Sequence, residues 1–332
     1  MNLFTPVALP PHLPRLDHRQ QLLLMGSCFA QHVGERLRDG GLRCEVNPYG
    51  VLYNPLSLST ALREMMTGKT YTEADLYAHG GLWHSPMHHG DFSSAEAGET
   101  LRRINSRLAG ARQALEGLDV LLLTWGSAWV YEDVQTGRVV GNCHKRPESC
   151  FRRRRLSVEE IVADQAVLLQ RLLAQRPALQ VVLTVSPVRH LRDGLHGNQL
   201  SKSTLLLAAE ALQAAWPGQV HYFPAYEIVV DELRDYRFYA DDMTHPSPLA
   251  VDYVWERFVE AFFAPATRQV ADDCAALHRM LAHRPLHPEG EEYRRFLGQI
   301  LLKLDQLTEK YPYLDLDLER EQCRIRLSKS AR

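Results

Sequence analysis

A hydroxyl, a carboxylate and an imidazole stand at points of this sequence where their types and spacing suit acyl-transfer chemistry. Asp242 and His245 are separated only by Met243-Thr244, so the carboxylate can accept from one ring nitrogen and fix the tautomer. The other nitrogen is then free to take a proton from a hydroxyl. Ser247-Pro248 follow as an N-cap and first-turn proline, and the positive end of the helix they start helps to keep the resting ring neutral. The hydroxyl is that of Ser27, within Gly26-Ser27-Cys28, where the first N–H groups of a helix favour developing negative charge. Together they form a serine–histidine–aspartate set in the chain order Ser, Asp, His. A plainer role is open for Ser27, because serine is a preferred N-cap. Cys28 shares the same helix start, where a thiolate is also favoured, so a cysteine nucleophile and a packed apolar thiol are both open.

These groups act together only if the fold brings them to one edge, and the periodicity of the chain implies such an edge. Strand-length apolar runs alternate with helix-period segments, the pattern of a parallel sheet with helices on both faces. Strands are expected at 21–25, 43–47, 119–124, 179–185 and 219–223, and helices at 28–38, 55–66, 94–116, 157–174, 201–215 and 249–263. Residues 67–93 read as an irregular insertion rich in Gly, His, Tyr and Trp, of a length that is often functional. In it His84, His88 and His89 are expected at the surface or in a substrate loop. Residues 129–141 read as a hairpin projecting from the rim of the sheet about Gln135-Thr136-Gly137. In open parallel sheets the ligand crevice lies at the carboxyl ends of the strands. That singles out Ser27, Gly50, Gly126-Ser127, Arg189-His190 and the segment holding Asp242 and His245. Arg189 and His190 are candidates for substrate contact, with a structural hydrogen bond equally open for His190. The four arginines 152–155 read as a solvated charge run or as a grip on a phosphate or carboxylate. Beyond residue 265, amphipathic stretches at 267–283 and 290–310 and a polar tail are expected to form a helical cap or interface.

Composition excludes several functions. The 332 residues, 45% hydrophobic and 23% charged, suit a soluble globular protein of two domains, or of one large α/β domain with additions. Thirty-eight basic against forty acidic side chains give a net charge of −2, so no global field draws the chain to nucleic acid or to anionic membranes. The six cysteines include no Cys-x-x-Cys pair and are expected as thiols. No export signal or membrane span is visible, which makes the cytoplasm the default location. Asn142-Cys143-His144-Lys145 lacks a second ligand pair at zinc-like spacing, and neither Gly-x-x-x-x-Gly-Lys nor a strand followed by Gly-x-Gly-x-x-Gly occurs. No metal, nucleotide or redox cofactor is therefore expected.

Gly26-Ser27-Cys28-Phe29-Ala30 resembles the signature of the GSCFA family. The resemblance continues in Asn47-Pro48-Tyr49-Gly50, Tyr53-Asn54-Pro55, the block 124–131, Asn142-Cys143-His144-Lys145, Ser186-Pro187-Val188-Arg189-His190, Ser201-Lys202 and the run 222–247, and so covers about 20 to 265. It implies kinship with the SGNH (GDSL-like) hydrolases, esterases, lipases and carbohydrate deacetylases that share a flavodoxin-like three-layer α/β/α sandwich with a five-stranded parallel sheet. On that reading 1–265 is the catalytic domain and 266–332 a C-terminal helical extension. The resemblance further implies Ser27 as nucleophile, His245 as base, Asp242 as its orienting partner, and the N–H groups of Ser27 and Gly50 as oxyanion donors. Where SGNH enzymes carry Gly-x-Asn-Asp after the third strand, this chain has Gly126-Ser127-Ala128-Trp129. Loss of such an amide donor costs on the order of 10²- to 10³-fold in rate unless it is replaced, and Asn142 and His144 on the hairpin are the candidates. Gly126 and His144 join Arg189 and His190 as expected substrate contacts. The expected activity is that of a serine esterase or deacylase acting on an acyl ester of a carbohydrate or polar lipid. An O-acyltransferase using the same triad, and a catalytically weak module that binds a glycan or other polar ligand, are the alternatives.

Overall fold

The alternation of apolar runs and helical periods resolves, in a computed structural model that describes residues 5–329, into two compact units. In chain order the elements are β1 (Gln21–Gly26), α1 (Cys28–Asp39), β2 (Arg43–Val46), α2 (Pro55–Thr67), β3 (Tyr77–His79), β4 (Leu82–His84) and α3 (Ala97–Glu116). There follow β5 (Leu118–Trp125), β6 (Trp129–Asp133), β7 (Val139–Val140), β8 (Phe151–Arg155), α4 (Val158–Gln175), β9 (Gln180–Val185), α5 (Gly194–Ala215), β10 (Val220–Tyr222) and α6 (Ala225–Glu227). The last four are α7 (Pro248–Phe262), α8 (Pro265–Ala282), α9 (Glu291–Lys310) and α10 (Asp317–Lys329).

The first unit is an α/β fold around a five-stranded parallel sheet ordered β10-β9-β5-β1-β2. Leu23 sits beside Leu121, and Leu121 beside Val181. Alternate residues Leu23, Met25, Leu121, Leu123, Val181 and Leu183 join one core with side chains of α2 to α5. The residues between them, Leu22, Leu24, Leu122 and Val182, point the opposite way and are buried as well. That explains why these strands read as unbroken apolar runs: successive side chains of a strand alternate faces, and here both faces are covered. Phe258 of α7 meets Phe223, just past β10, edge-on at 5.5 Å. From β1 the chain moves one way to β2 and the other way to β5, so the order switches between β1 and β5, where open sheets form their crevice.

Three expectations change in this unit. The arginines 152–155 form most of β8, which adds a third strand to the expected hairpin in a sheet ordered β7-β6-β8. Arg152 and Arg154 pair with Glu132 at 2.5 and 2.6 Å, while Arg153 points the other way to Asp193. Four like residues hide a period of two, because the alternation lies only in which acid each one meets. The insertion contains the hairpin β3–β4. Its His84 and His88 are buried, His88 being stacked on Tyr49 at 4.4 Å and bonded to Ser85 at 2.9 Å. Helix α5 starts at Gly194 rather than near 201, since Gly194, Gly197 and Asn198 are poor helix formers that mask its first turns.

The second unit combines Arg15–Gln20, Glu35–Arg43 and the chain from Phe262 onward, whereas the sequence placed a single cut at 265. Its core includes Val270, Cys274 and Leu277 of α8, Leu297, Ile300 and Leu304 of α9, and Cys323. Cys323 is the only buried residue of α10, so the expected polar tail lacked the apolar stripe that betrays a helix. The Thr267 hydroxyl donates to the Leu16 carbonyl at 3.0 Å, and the Arg19 guanidinium lies 4.5 Å over the Tyr313 ring. All six cysteines are thiols. Among the described residues no helix is long and apolar enough to cross a membrane.

Candidate active site

Segment 47–54 lies across the carboxyl ends of β1 and β5 and builds the floor of the site. The Gly26 N–H donates to Asn47 Oδ1 at 2.9 Å, the Leu52 N–H to the Gly26 carbonyl at 3.0 Å, and the N–H groups of Gly126 and Ser127 to the Tyr53 carbonyl at 2.7 and 2.9 Å. Such close crossing needs residues without a side chain. Gly26 has φ +144°, and a Cβ there would lie 2.2 Å from the Thr124 carbonyl oxygen; Gly50 has φ +75°, and a Cβ would lie 2.3 Å from that of His89.

Ser27 sits beneath this segment and is 2% exposed. Its Oγ accepts from the Phe29 N–H at 3.3 Å, which is the N-cap role, and its own N–H donates to the Thr124 carbonyl at 3.3 Å. The Gly50 N–H donates to the Asn47 carbonyl at 2.8 Å. Both N–H groups expected in an oxyanion hole are thus engaged inside the fold. The Cys28 N–H has no acceptor among the described residues, so the open donor at the start of α1 lies one residue beyond the serine.

Asp242 and His245 form the expected pair. Asp242 Oδ2 accepts from His245 Nδ1 at 2.6 Å, and Oδ1 accepts from the N–H groups of Thr244 and His245, both at 2.9 Å. The two backbone donors, followed by the imidazole, hold the Asp242 carboxyl well below the usual carboxylate range. The tautomer follows from the partner: Nδ1 carries the proton, and Nε2 faces no partner among the described residues. The Ser247 hydroxyl accepts from the Ala250 N–H at 3.3 Å and caps α7. The pair is open to solvent, with the His245 side chain 51% exposed. The Arg189 N–H donates to the Thr244 carbonyl at 3.1 Å, which ties the loop to the exit of β9. That exit is two strands from β1, a separation of roughly 10 Å at ordinary strand spacing. Ser27 and His245 share no hydrogen bond in this arrangement.

Beside the pair opens a cleft of about 690 Å³ walled by Trp129, Tyr131 and Phe151 of the rim sheet, Tyr53, and the Arg189-His190 loop. Its volume falls in the range of small-molecule sites. Thr244 and Asn142 also line it. Asn142 Oδ1 accepts from the His144 N–H at 2.9 Å, while Nδ2 has no partner among the described residues. His190 Nε2 donates to the Gly126 carbonyl at 2.7 Å, so the structural role left open for it is present and Nδ1 remains an acceptor. Burial, then the nearby Lys202, lowers the pKa of His190 and keeps the ring neutral. Gly126 and His144 do not line the cleft. Both backbone groups of Gly126 are bonded, and His144 Nε2 donates to the Ser85 carbonyl at 2.8 Å.

Lys202 carries a role that the sequence reading did not assign. It is fully buried, and its ammonium donates to the Gly126 carbonyl at 2.7 Å and the Ser186 carbonyl at 2.6 Å, pinning the exits of β5 and β9. Burial pulls its pKa down to about 7. The signal was available: Lys202 falls on the stripe of Asn198, Ser201, Leu205, Ala208 and Leu212 that α5 turns inward. Among the described residues no group of three or more His, Cys, Asp or Glu side chains could hold a metal ion. The sequence profile of the GSCFA family matches residues 21–258, and that described as "GSCFA domain protein, C-terminal domain" matches 274–329. No curated protein matches the chain.

Proposed function

This chain belongs to the GSCFA family, and from that premise we propose that it is a serine hydrolase of the SGNH type, an esterase or deacylase acting on an acyl ester of a carbohydrate or polar lipid. The observation that carries the reading is the Asp242 and His245 pair, with an open Nε2, tied through Arg189 to the carboxyl end of the sheet, the end at which Ser27 follows β1. The strand order, switching between β1 and β5, is that of flavodoxin-like sandwiches, the architecture of the SGNH enzymes. Catalytic hydrogen bonds are often long in empty sites and form only with substrate. In the proposed cycle the exposed loop 240–247 moves toward the end of β1 and segment 47–54 opens over Ser27, and both movements are needed to bring Nε2 to the buried hydroxyl.

The serine Oγ then bonds to the acyl carbon as its proton passes to His245 Nε2, and the carbonyl electron pair moves onto oxygen. The Cys28 N–H and Asn142 Nδ2 are the donors for that oxyanion, Asn142 standing in for the amide missing at Ala128. Collapse expels the alcohol, which takes the proton from His245, and water repeats the sequence to free the acid. An added hydroxyl acceptor in place of water would give acyl transfer, which product analysis detects.

Fluorophosphonate labelling and p-nitrophenyl acetate turnover test the reading on the wild type, Ser27→Ala, Cys28→Ala and His245→Ala. Loss of both signals in Ser27→Ala and His245→Ala, with labelling kept in Cys28→Ala, is expected. Labelling lost only in Cys28→Ala moves the nucleophile to the thiol. One observation favours the non-catalytic alternative: the buried Ser27 Oγ already caps α1. A wild type as inert as Ser27→Ala, with both proteins binding a glycan, would establish that alternative.

A further inference from the structure

The cleft beside the Asp–His loop is positively charged in a molecule whose net charge is −2. Lys145, Arg146, Arg153, Arg189 and Arg192 line it against the carboxylates of Glu148 and Asp193. Three of these cations are matched: Arg153 by Asp193 at 2.5 and 2.6 Å, Arg192 by Glu148 at 2.5 Å, and Arg146 by Asp133 at 3.1 Å. Lys145 and Arg189 face no acidic side chain among the described residues. The guanidiniums are also held in place. Arg153 lies 4.1 Å over the Trp129 ring and Arg189 4.9 Å over that of Tyr239, and Arg192 donates to the Tyr131 hydroxyl at 2.6 Å. A guanidinium over a ring face keeps its N–H edges for polar partners. Those of Arg153 and Arg192 go to Asp193, Glu148 and Tyr131, whereas Arg189 gives one nitrogen to the Met243 carbonyl at 3.4 Å and has no acidic partner among the described residues.

The backbone that presents Lys145 supplies an independent observation. His144 and Lys145 have φ of +47° and +58°, a left-handed conformation that side-chain-bearing residues rarely adopt and that persists only where the surroundings enforce it. Here the Asn142 side chain accepts from the His144 N–H, the Arg146 N–H donates to the Cys143 carbonyl at 3.0 Å, and the His144 ring is tied to Ser85. This turn sets an exposed lysine on the cleft wall and leaves the Asn142 amide donor open.

We infer that the cleft binds the polar part of the substrate, and that this part carries an anionic oxygen group, carboxylate or phosphate, received by Lys145 and Arg189. The assignment of this ligand as the substrate rests on the esterase reading; the binding itself does not.

Calorimetry on the full-length protein with glucose 6-phosphate, glucuronate and glucose tests it. At least one of the two anions binds about tenfold or more tighter than glucose, as a charge-assisted contact to an unpaired cation requires. Phosphate and carboxylate are told apart by which of the two wins. Added salt weakens the preference, and Lys145→Glu removes most of it. If charge reversal lowers the melting temperature, the salt series on the wild type serves instead. Equal affinity for all three sugars, no binding of any of them, or a preference indifferent to both salt and Lys145→Glu overturns the inference. Anion binding by a protein that turns over no ester and takes no fluorophosphonate label defeats the esterase reading alone. Ester turnover without anion preference defeats this inference alone.

Discussion

Asp242 holds its loop with two backbone N–H groups and one imidazole N–H, so a single carboxylate sets both the shape of the loop and the tautomer of His245. Asp242→Asn keeps the size and loses the charge, and an amide nitrogen turned toward Nδ1 favours the wrong tautomer; kcat for p-nitrophenyl acetate should fall about 10²-fold or more with the melting temperature little changed. Because the folded carboxyl is depressed, its contribution is present above the unfolded pKa near 4 and is lost as pH falls below it. Protection of the Thr244 and His245 amides, read against their intrinsic exchange rates, should therefore hold at about pH 5 and fall in stronger acid. His88 has its pKa lowered to about 3, first by burial and then by the charge of Lys69, and its Nε2 has no partner among the described residues. The unfolded chain takes up a proton below about pH 6.5 and the folded chain does not, so His88 should cost roughly 1.4 kcal/mol of stability per pH unit on the way down. Urea denaturation at pH 7, 6 and 5 (about one-unit steps) checks this, with His88→Phe, which keeps a ring against Tyr49, expected to flatten the slope. The Asp–His pair was legible in sequence because its geometry is local. The burial of Ser27 was not, because it depends on a segment that starts twenty residues away at Asn47.

At the scale of elements, the crossing segment and the buried lysine fix where the strand ends lie. Gly50→Ala forces a left-handed backbone on a side-chain-bearing residue and drives a methyl into His89, 2.3 Å away. A loss of roughly 2 kcal/mol is expected in urea titrations. Lys202→Met keeps the apolar stem but removes donors from the Gly126 and Ser186 carbonyls, and should cost on the order of 2 kcal/mol. His190 still donates to Gly126, so the acceptor left unmet is the Ser186 carbonyl. Turnover should fall further than stability predicts, because the exit of β9, which leads into the Arg189-His190 loop, is no longer pinned. The core strands were readable since burial on both faces leaves unbroken apolar runs. Strand β8 was not, because no side chain in 152–155 is apolar, and α10 was not, because it buries little beyond Cys323.

At the scale of the molecule, the second unit gathers pieces that lie far apart in the chain. Leu16 is bonded to the carbonyl of Phe262 at 2.8 Å and to Thr267, and Arg19 and Arg43 both reach Tyr313. Deleting 266–332 leaves Phe262 but removes Thr267 and Tyr313 from 15–20 and 35–43, so the truncated chain should melt at lower temperature and be cut early by protease near residue 19, as circular dichroism and limited proteolysis would show. Sequence periodicity found helices beyond 265 but could not show that earlier segments complete their unit, since such contacts leave no repeat to read. The separation of 251 positions between Leu16 and Thr267 also sets a clock. At ordinary translation speeds about 10 to 50 s pass between the synthesis of the two. Throughout that interval the early segments leave the ribosome without the helices that complete them, so this unit must finish folding after most of the polypeptide has been made.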